Sequence, residues 1–100
     1  MTRYEGNREP VIIRARDAGV HFGELVAYEE RMVWLEGAIR LWKWKAAGGI
    51  ALSGVATAGI DPRASKLDAL LPRMVITDAC ELLFCTEEAA ASIRSALWAK

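Results

Sequence analysis

Residues 11–44 carry one extended-chain pattern after another, separated only by short turn signals, and this succession limits the fold to a sheet of consecutive antiparallel strands. The first segment, VIIRAR, is β-branched and then alternates: Val11, Ile13 and Ala15 fall on one face, Ile12, Arg14 and Arg16 on the other. Asp17, Ala18 and Gly19 supply a turn, and residues 20–29 resume an extended pattern in which Phe22, Val26 and Tyr28 share one side, so a hairpin is expected. Glu29, Glu30 and Arg31 make a polar break before MVWLE, and Glu36 and Gly37 make another before AIRLWKWK, which gives four strands in succession. In the fourth, Ala38, Arg40, Trp42 and Trp44 face one way and Ile39, Leu41 and Lys43 the other.

The second half is less regular. Residues 46–49 are a small-residue turn, and 50–58 suit a short helix using Leu52, Val55 and Ala56, weakened by Gly54 and ended by Gly59. Residues 61–72 read as irregular: Leu67, Leu70 and Leu71 have helical spacing until Pro72 interrupts it. The run 74–84 suits a helix through Ile76, Cys80 and Leu83 and a strand through Ile76, Cys80, Leu82 and Phe84, and periodicity does not decide between them. Thr86 followed by Glu87 and Glu88 is an N-cap with acids in the first turn, opening a helix to about Ala96. Residues 1–10, with four charged side chains, a glycine and a proline, are expected to be a flexible N-terminal arm on a single domain spanning 11–100.

A chain of 100 residues, 53% hydrophobic and with four tryptophans, folds as one small domain to which association would add stability. Thirteen basic and thirteen acidic residues cancel, so no overall field draws it onto nucleic acid or an anionic membrane, and nucleic acid is disfavoured as a partner. The uncharged run 46–60 is too short and too rich in Gly and Ala to span a bilayer of about 30 Å, so no membrane association is expected. The polar start MTRYEGNREP lacks the apolar stretch of a secretory signal, which predicts a cytoplasmic protein. Cys80 and Cys85 are the only thiols and His21 the only imidazole, which excludes a four-ligand zinc site of the familiar kind within one chain, and no cofactor is expected. On one strand the two sulfurs would point to opposite faces, so they read as buried structural thiols without a disulfide.

Catalysis finds little support. His21 has no nucleophile elbow beside it, no phosphate-binding glycine loop or metal-protease motif occurs, and the acid pairs Glu29-Glu30 and Glu87-Glu88 sit where a turn and a helix start would put them. The expectation is therefore binding without turnover. One local constellation stands out. Residues 37–60 contain Arg40, Lys43 and Lys45, no acid, and Trp42 and Trp44 on the face of Arg40. A ring beside a guanidinium can stack a base and pair its phosphate. Arg14 and Arg16 fall on or beside one face of the first strand, and a meander could bring them to the same cleft. The ligand-binding candidates are thus Arg14, Arg16 and Arg40 for phosphate, Trp42, Trp44 or Phe22 for stacking, and His21. The competing reading makes Trp42 and Trp44 core anchors bordered by cations.

The segments VIIRARDAGVHFGELV, VWLEGAIRLWKW, GGIALSGVATAGI and ITDACELLFCTEEAAASI, in this order and spacing, resemble a family of small phage and prophage proteins catalogued as a domain of unknown function. The resemblance covers nearly all of 11–98 and is sharpest at AGVHFGEL and at the strand 38–44. The chain departs from it at Ile39, where the family often has a second Arg, at Gly37, in place of a common Asn, and at an insertion-like 45–47, which puts any shared site in doubt. The resemblance implies a strand at 74–84, and the expected fold is then α+β: an antiparallel β-meander sheet of about five strands with two helices, the last at the C-terminus. It also implies a setting in the cytoplasm of a bacterial host, where one class of such proteins are homo-oligomeric sponges that sequester cyclic-oligonucleotide or ADP-ribose immune signals. The expectation is a phosphate-containing small molecule as ligand of a homo-oligomer. The alternative is a non-enzymatic protein-interaction or virion-associated module.

Overall fold

A computed structural model describes residues 3–48 and 51–98, with 97 and 98 described by their backbone alone. Along the chain come β1 (Tyr4–Glu5), β2 (Pro10–Ala15), β3 (Val20–Glu29), β4 (Met32–Lys43), α1 (Leu52–Ala58), β5 (Lys66–Leu67), β6 (Leu71–Ile76), β7 (Ala79–Phe84) and α2 (Glu87–Trp98). The fold is α+β, with a seven-stranded sheet, two helices, and the second helix at the C-terminal end. Part of the expected turn at 46–49 and the expected helix start at Ile50 lie outside the described residues.

The three long strands form the meander that the alternation predicts. β2 pairs with β3 through Val11↔Gly23 and Ile13↔His21, and β3 with β4 through His21↔Arg40, Leu25↔Leu35 and Glu29↔Met32. β5 and β6 share the far edge of β4, β5 at Leu41 and Lys43, β6 from Val33 to Ala38, whereas β7 pairs with the opposite edge, on β2. All these pairings are antiparallel, so β6 and β7 run in the same direction with only Thr77 and Asp78 between them. Three Cα steps span at most about 11 Å, so the two edges of the sheet meet there and the sheet curls into a small barrel. The Arg16 N–H donates to the Asp78 carbonyl at 2.9 Å and the Ala79 N–H to the Arg31 carbonyl at 3.1 Å across the junction. The run 74–84 is thus one extended chain with a kink, which carries it from the edge of β4 to the edge of β2.

Closing the sheet gives it two apolar faces. Val11, Ile13, Ala15, Leu25, Val33, Leu35, Ala38 and Ile76 fill the inside of the barrel. Ile12, Phe22, Ile39 and Leu41 face outward, where Leu52 and Val55 of α1 and Ala90 and Ile93 of α2 cover them. Each such aliphatic or aromatic side chain removed from water contributes about 1.5–3 kcal/mol before entropy is counted.

Four expectations are corrected. Glu36 and Gly37 do not end a strand: β4 runs unbroken for 12 residues, and Gly37, at φ 55°, forms a bulge against β3. That extra residue turns Val33, Leu35 and Ala38 inward while Ile39 and Leu41 face the helices. A second irregularity between Leu25 and Ala27 separates the predicted trio, leaving Phe22 under the helices and Tyr28 against the barrel interior. The arm does not fray at residues 4–9: Tyr4 and Glu5 pair with Tyr28 and Ala27, the two tyrosine rings stack at 4.9 Å, and Glu9 accepts from the Tyr4 hydroxyl at 3.0 Å and the Asn7 N–H at 2.6 Å. Those hydrogen bonds hold the Glu9 carboxyl below its ordinary range, the Asn7 amide contributing most. Cys80 is exposed, because the β7 edge on which it lies carries no further strand, while Cys85 packs under the helices. Burial pushes the Cys85 thiol up to about 12.

The helices follow their signals. The Thr86 hydroxyl accepts the Ala89 N–H at 3.0 Å and donates to the Thr57 carbonyl at 2.8 Å, so the cap that opens α2 also ties it to the end of α1. Gly59 ends α1 at φ 89°, ψ −159°, a region open essentially to glycine alone. A Cβ there would run into Ser92, whose hydroxyl accepts the Ile60 N–H at 3.1 Å. Gly59→Ala is therefore expected to lower stability by about 2–4 kcal/mol, from backbone strain and overpacking together. Gly19→Ala, also at positive φ but with open space around it, should cost only the strain of about 1–3 kcal/mol. Urea midpoints of the two variants check the difference.

Candidate functional site

Register places most of the predicted cations at one end of the sheet. Ile13, His21 and Arg40 lie side by side across β2, β3 and β4, with Arg14 and Arg16 just beyond Ile13. Arg14 and Arg40 are thus two strands apart, roughly 10 Å. β4 overhangs β3 at this end and takes β5 as its neighbour, Leu41 opposite Leu67 and Lys43 opposite Lys66, with Trp42 the extra residue between the two pairs. Leu41 and Leu67 are buried, whereas Trp42 is 64% exposed. The Lys66 ammonium lies over the Trp42 ring at 5.1 Å.

The cations at this edge have one acid near them, Asp68, whose N–H donates to the Arg40 carbonyl at 3.0 Å. The ion pairs among the described residues are Arg3–Glu5, Arg8–Glu36, Arg14–Glu81 and Arg94–Glu24, and none includes Arg40, Lys43, Lys45 or Lys66. Asp61 is engaged with the Arg63 N–H at 3.0 Å. Two lysines directly opposite on paired strands repel each other, a cost of some tenths of a kcal/mol. A flat exposed ring beside several unpaired cations can take the base of a nucleotide on its face and the phosphates at its rim.

The remaining candidates separate from this edge. Trp44 lies past the end of β4 and packs, half-buried, against the helix-side core, so it does not share a face with Trp42 as strict alternation predicts. Phe22 is buried beneath α2, where the Arg94 guanidinium covers its ring at 5.4 Å. Arg14 is neutralised by Glu81 at 2.9 Å. Arg16 is exposed at the barrel junction beside Asp17 and Asp78, the Asp17 N–H donating to Asp78 Oδ2 at 2.7 Å. The structure therefore joins Arg40 and Trp42 with Lys43, Lys45 and Lys66. Lys66 escapes sequence reasoning because it meets Trp42 through a two-residue strand 24 positions away, which carries no periodic signal of its own. The same holds for Arg3, whose guanidinium covers Trp34 at 4.5 Å.

Among the described residues His21 is the one buried polar side chain, 1% exposed. Its Nε2 is 2.8 Å from the Ala18 carbonyl, which makes Nε2 the protonated nitrogen, and Nδ1 is buried without a partner among the described residues. Burial holds its pKa below the ordinary 6.5, and the nearby Arg40 charge acts in the same direction, while the Ala18 carbonyl, Asp78 and Asp68 oppose them. The unfolded imidazole takes up a proton near pH 6.5 and the folded one only at lower pH. Stability is therefore full above about pH 6.5 and falls as pH drops toward the folded value, by up to about 1.4 kcal/mol per pH unit. His21→Gln, which keeps a donor for Ala18, is expected to flatten this dependence. Urea unfolding at pH 7.5, 6.5 and 5.5 measures it.

No curated protein and no solved structure matches this chain. Residues 8–93, nearly the whole of the barrel and its helices, match the family described as Domain of unknown function (DUF6948), and the chain belongs to that family.

Proposed function

We propose that this protein binds a phosphate-containing small molecule without turning it over, at the exposed end of β4 and its β5 neighbour. The observation that carries the reading is the opposed, unpaired Lys43 and Lys66 with the Lys66 ammonium over exposed Trp42. Trp42 stacks the base, and Arg40, Lys43, Lys45 and Lys66 pair with phosphate oxygens. The sole imidazole is buried and tied to a carbonyl at 2.8 Å, in no position to move a proton at this surface. The resemblance to phage proteins gives the reading a setting. There the protein is a cytoplasmic sponge for a cyclic-oligonucleotide or ADP-ribose signal, with a second subunit completing the open side of the site.

Cyclic di- and trinucleotides, ADP-ribose derivatives and free nucleotides are the probes. One of them at a hundredfold excess over Kd is expected to stabilise the protein by about 2.7 kcal/mol, several degrees in melting temperature, and to quench tryptophan emission. Trp42→Ala should abolish both effects without lowering the unliganded melting temperature, since the side chain is largely exposed. Lys66→Glu should raise unliganded stability by a few tenths of a kcal/mol by relieving the like-charge pair, while weakening binding. A flat response to every probe overturns the proposal.

A further inference from the structure

The barrel is open along one seam. β7 leaves the line of β4, and between them lies a slot of about 200 Å³ whose apolar lining includes Tyr28, Val33, Leu82 and Phe84. The charged side chains lining it are two glutamates, Glu30 and Glu81. Glu81 is engaged by Arg14 on the other face, and Glu30 forms none of the ion pairs described above. Phe84 is 54% exposed, a large apolar surface at a strand end.

Beyond Ala79, whose N–H donates to the Arg31 carbonyl, the β7 backbone at this seam has no strand beside it among the described residues. The Cys85 N–H donates to the Pro10 carbonyl at 2.8 Å, so Pro10 and Cys85 occupy the register of a hydrogen-bonded pair, although proline has no N–H to return the bond. Antiparallel ladders alternate, and the next such pairs are Ile12 with Leu83 and Arg14 with Glu81. The N–H and C=O of Leu82 and Phe84 therefore point away from β2, into the seam, where no strand among the described residues takes them up. Exposed edges are normally blunted by proline or charge. β6 carries Pro72, which has no N–H to offer, whereas β7, ACELLF, has no proline and a single charge.

We infer that β7 is a strand-addition site for an extended, basic and apolar peptide segment of a protein partner. The segment pairs its backbone with Leu82 and Phe84, seats an apolar side chain in the slot, and places a lysine or arginine beside Glu30. Alternation fixes this pattern, because side chains on one face of the added strand meet the slot and its acidic rim together. The seam lies at the β3–β4 turn, the opposite end of β4 from Trp42, so the inference stands independently of the nucleotide reading.

The test is amide hydrogen exchange of the full chain with three capped hexapeptides: Val-Ser-Lys-Ser-Val-Ser, which carries valine and lysine on one face, the same peptide with glutamate in place of lysine, and the lysine peptide N-methylated at alternate amides. The lysine peptide is expected to slow exchange at Leu82 and Phe84 about tenfold when nine-tenths of the protein is bound. The glutamate and N-methylated peptides should leave it unchanged. Glu30→Lys should reverse the charge preference, and Phe84→Lys should abolish protection. Both residues are exposed, and unchanged protection of buried Ile13 shows that the variants are folded. Unchanged exchange at millimolar lysine peptide, or equal protection by the acidic and basic peptides, overturns the inference. Protection that grows with protein concentration alone, with dimer mass in sedimentation, overturns it in favour of a second copy on the edge.

Discussion

The chain must cover a sheet that is apolar on both faces. Val11, Ile12 and Ile13 are consecutive and fully buried, and no single layer can shield three successive strand residues, because alternate side chains leave the sheet in opposite directions. One side is covered by α1 and α2. With those helices used, the sheet must cover the other side itself by curling, and the kink at Thr77 and Asp78 is what lets the same extended segment serve both edges. The barrel, the two cores and the open seam all follow from this double demand on a short chain.

Strict alternation made β2, and the two faces it separates, legible in the sequence. The Thr86 cap and the stop at Gly59 were equally legible, since each is a local signal with a local cause. Reading failed where one residue breaks the period. Gly37 looks like a strand end, yet in a bulge a glycine at positive φ lets the strand continue with its faces exchanged. Every face assignment beyond it then depends on a register that only the partner strand supplies. Barrel closure was illegible for a related reason: nothing in 74–84 tells a strand with one neighbour from a strand that changes neighbours halfway.

The candidate site shows the same division. Arg40 and Trp42 could be singled out because they are close in sequence and lie in an acid-free stretch. Lys66 could not, because its relation to Trp42 exists only once β5 docks on β4. Phe22 and His21 lie near the start of β3, where both are buried, and the His21 ring is engaged by the Ala18 carbonyl. The buried Nδ1 beside Arg40 is a cost the fold carries.

β4 links the two surface features at opposite ends of the molecule, which extends 41 Å along its longest axis. Val33 lines the seam near the start of the strand and Trp42 stands exposed near its end. Between them the strand is flanked by neighbours on both edges and sends Val33, Leu35 and Ala38 into one core and Ile39 and Leu41 into the other, so neither end can shift without disturbing both cores. Ligands at the two ends would therefore bind without displacing each other. Each feature is a demand the fold leaves open among the described residues: cations outside any ion pair at one end, strand backbone without a neighbour at the other. A protein of this size that tolerates both has placed its structural cost at its surfaces and kept it out of the cores, which is where recognition by a second molecule can repay it.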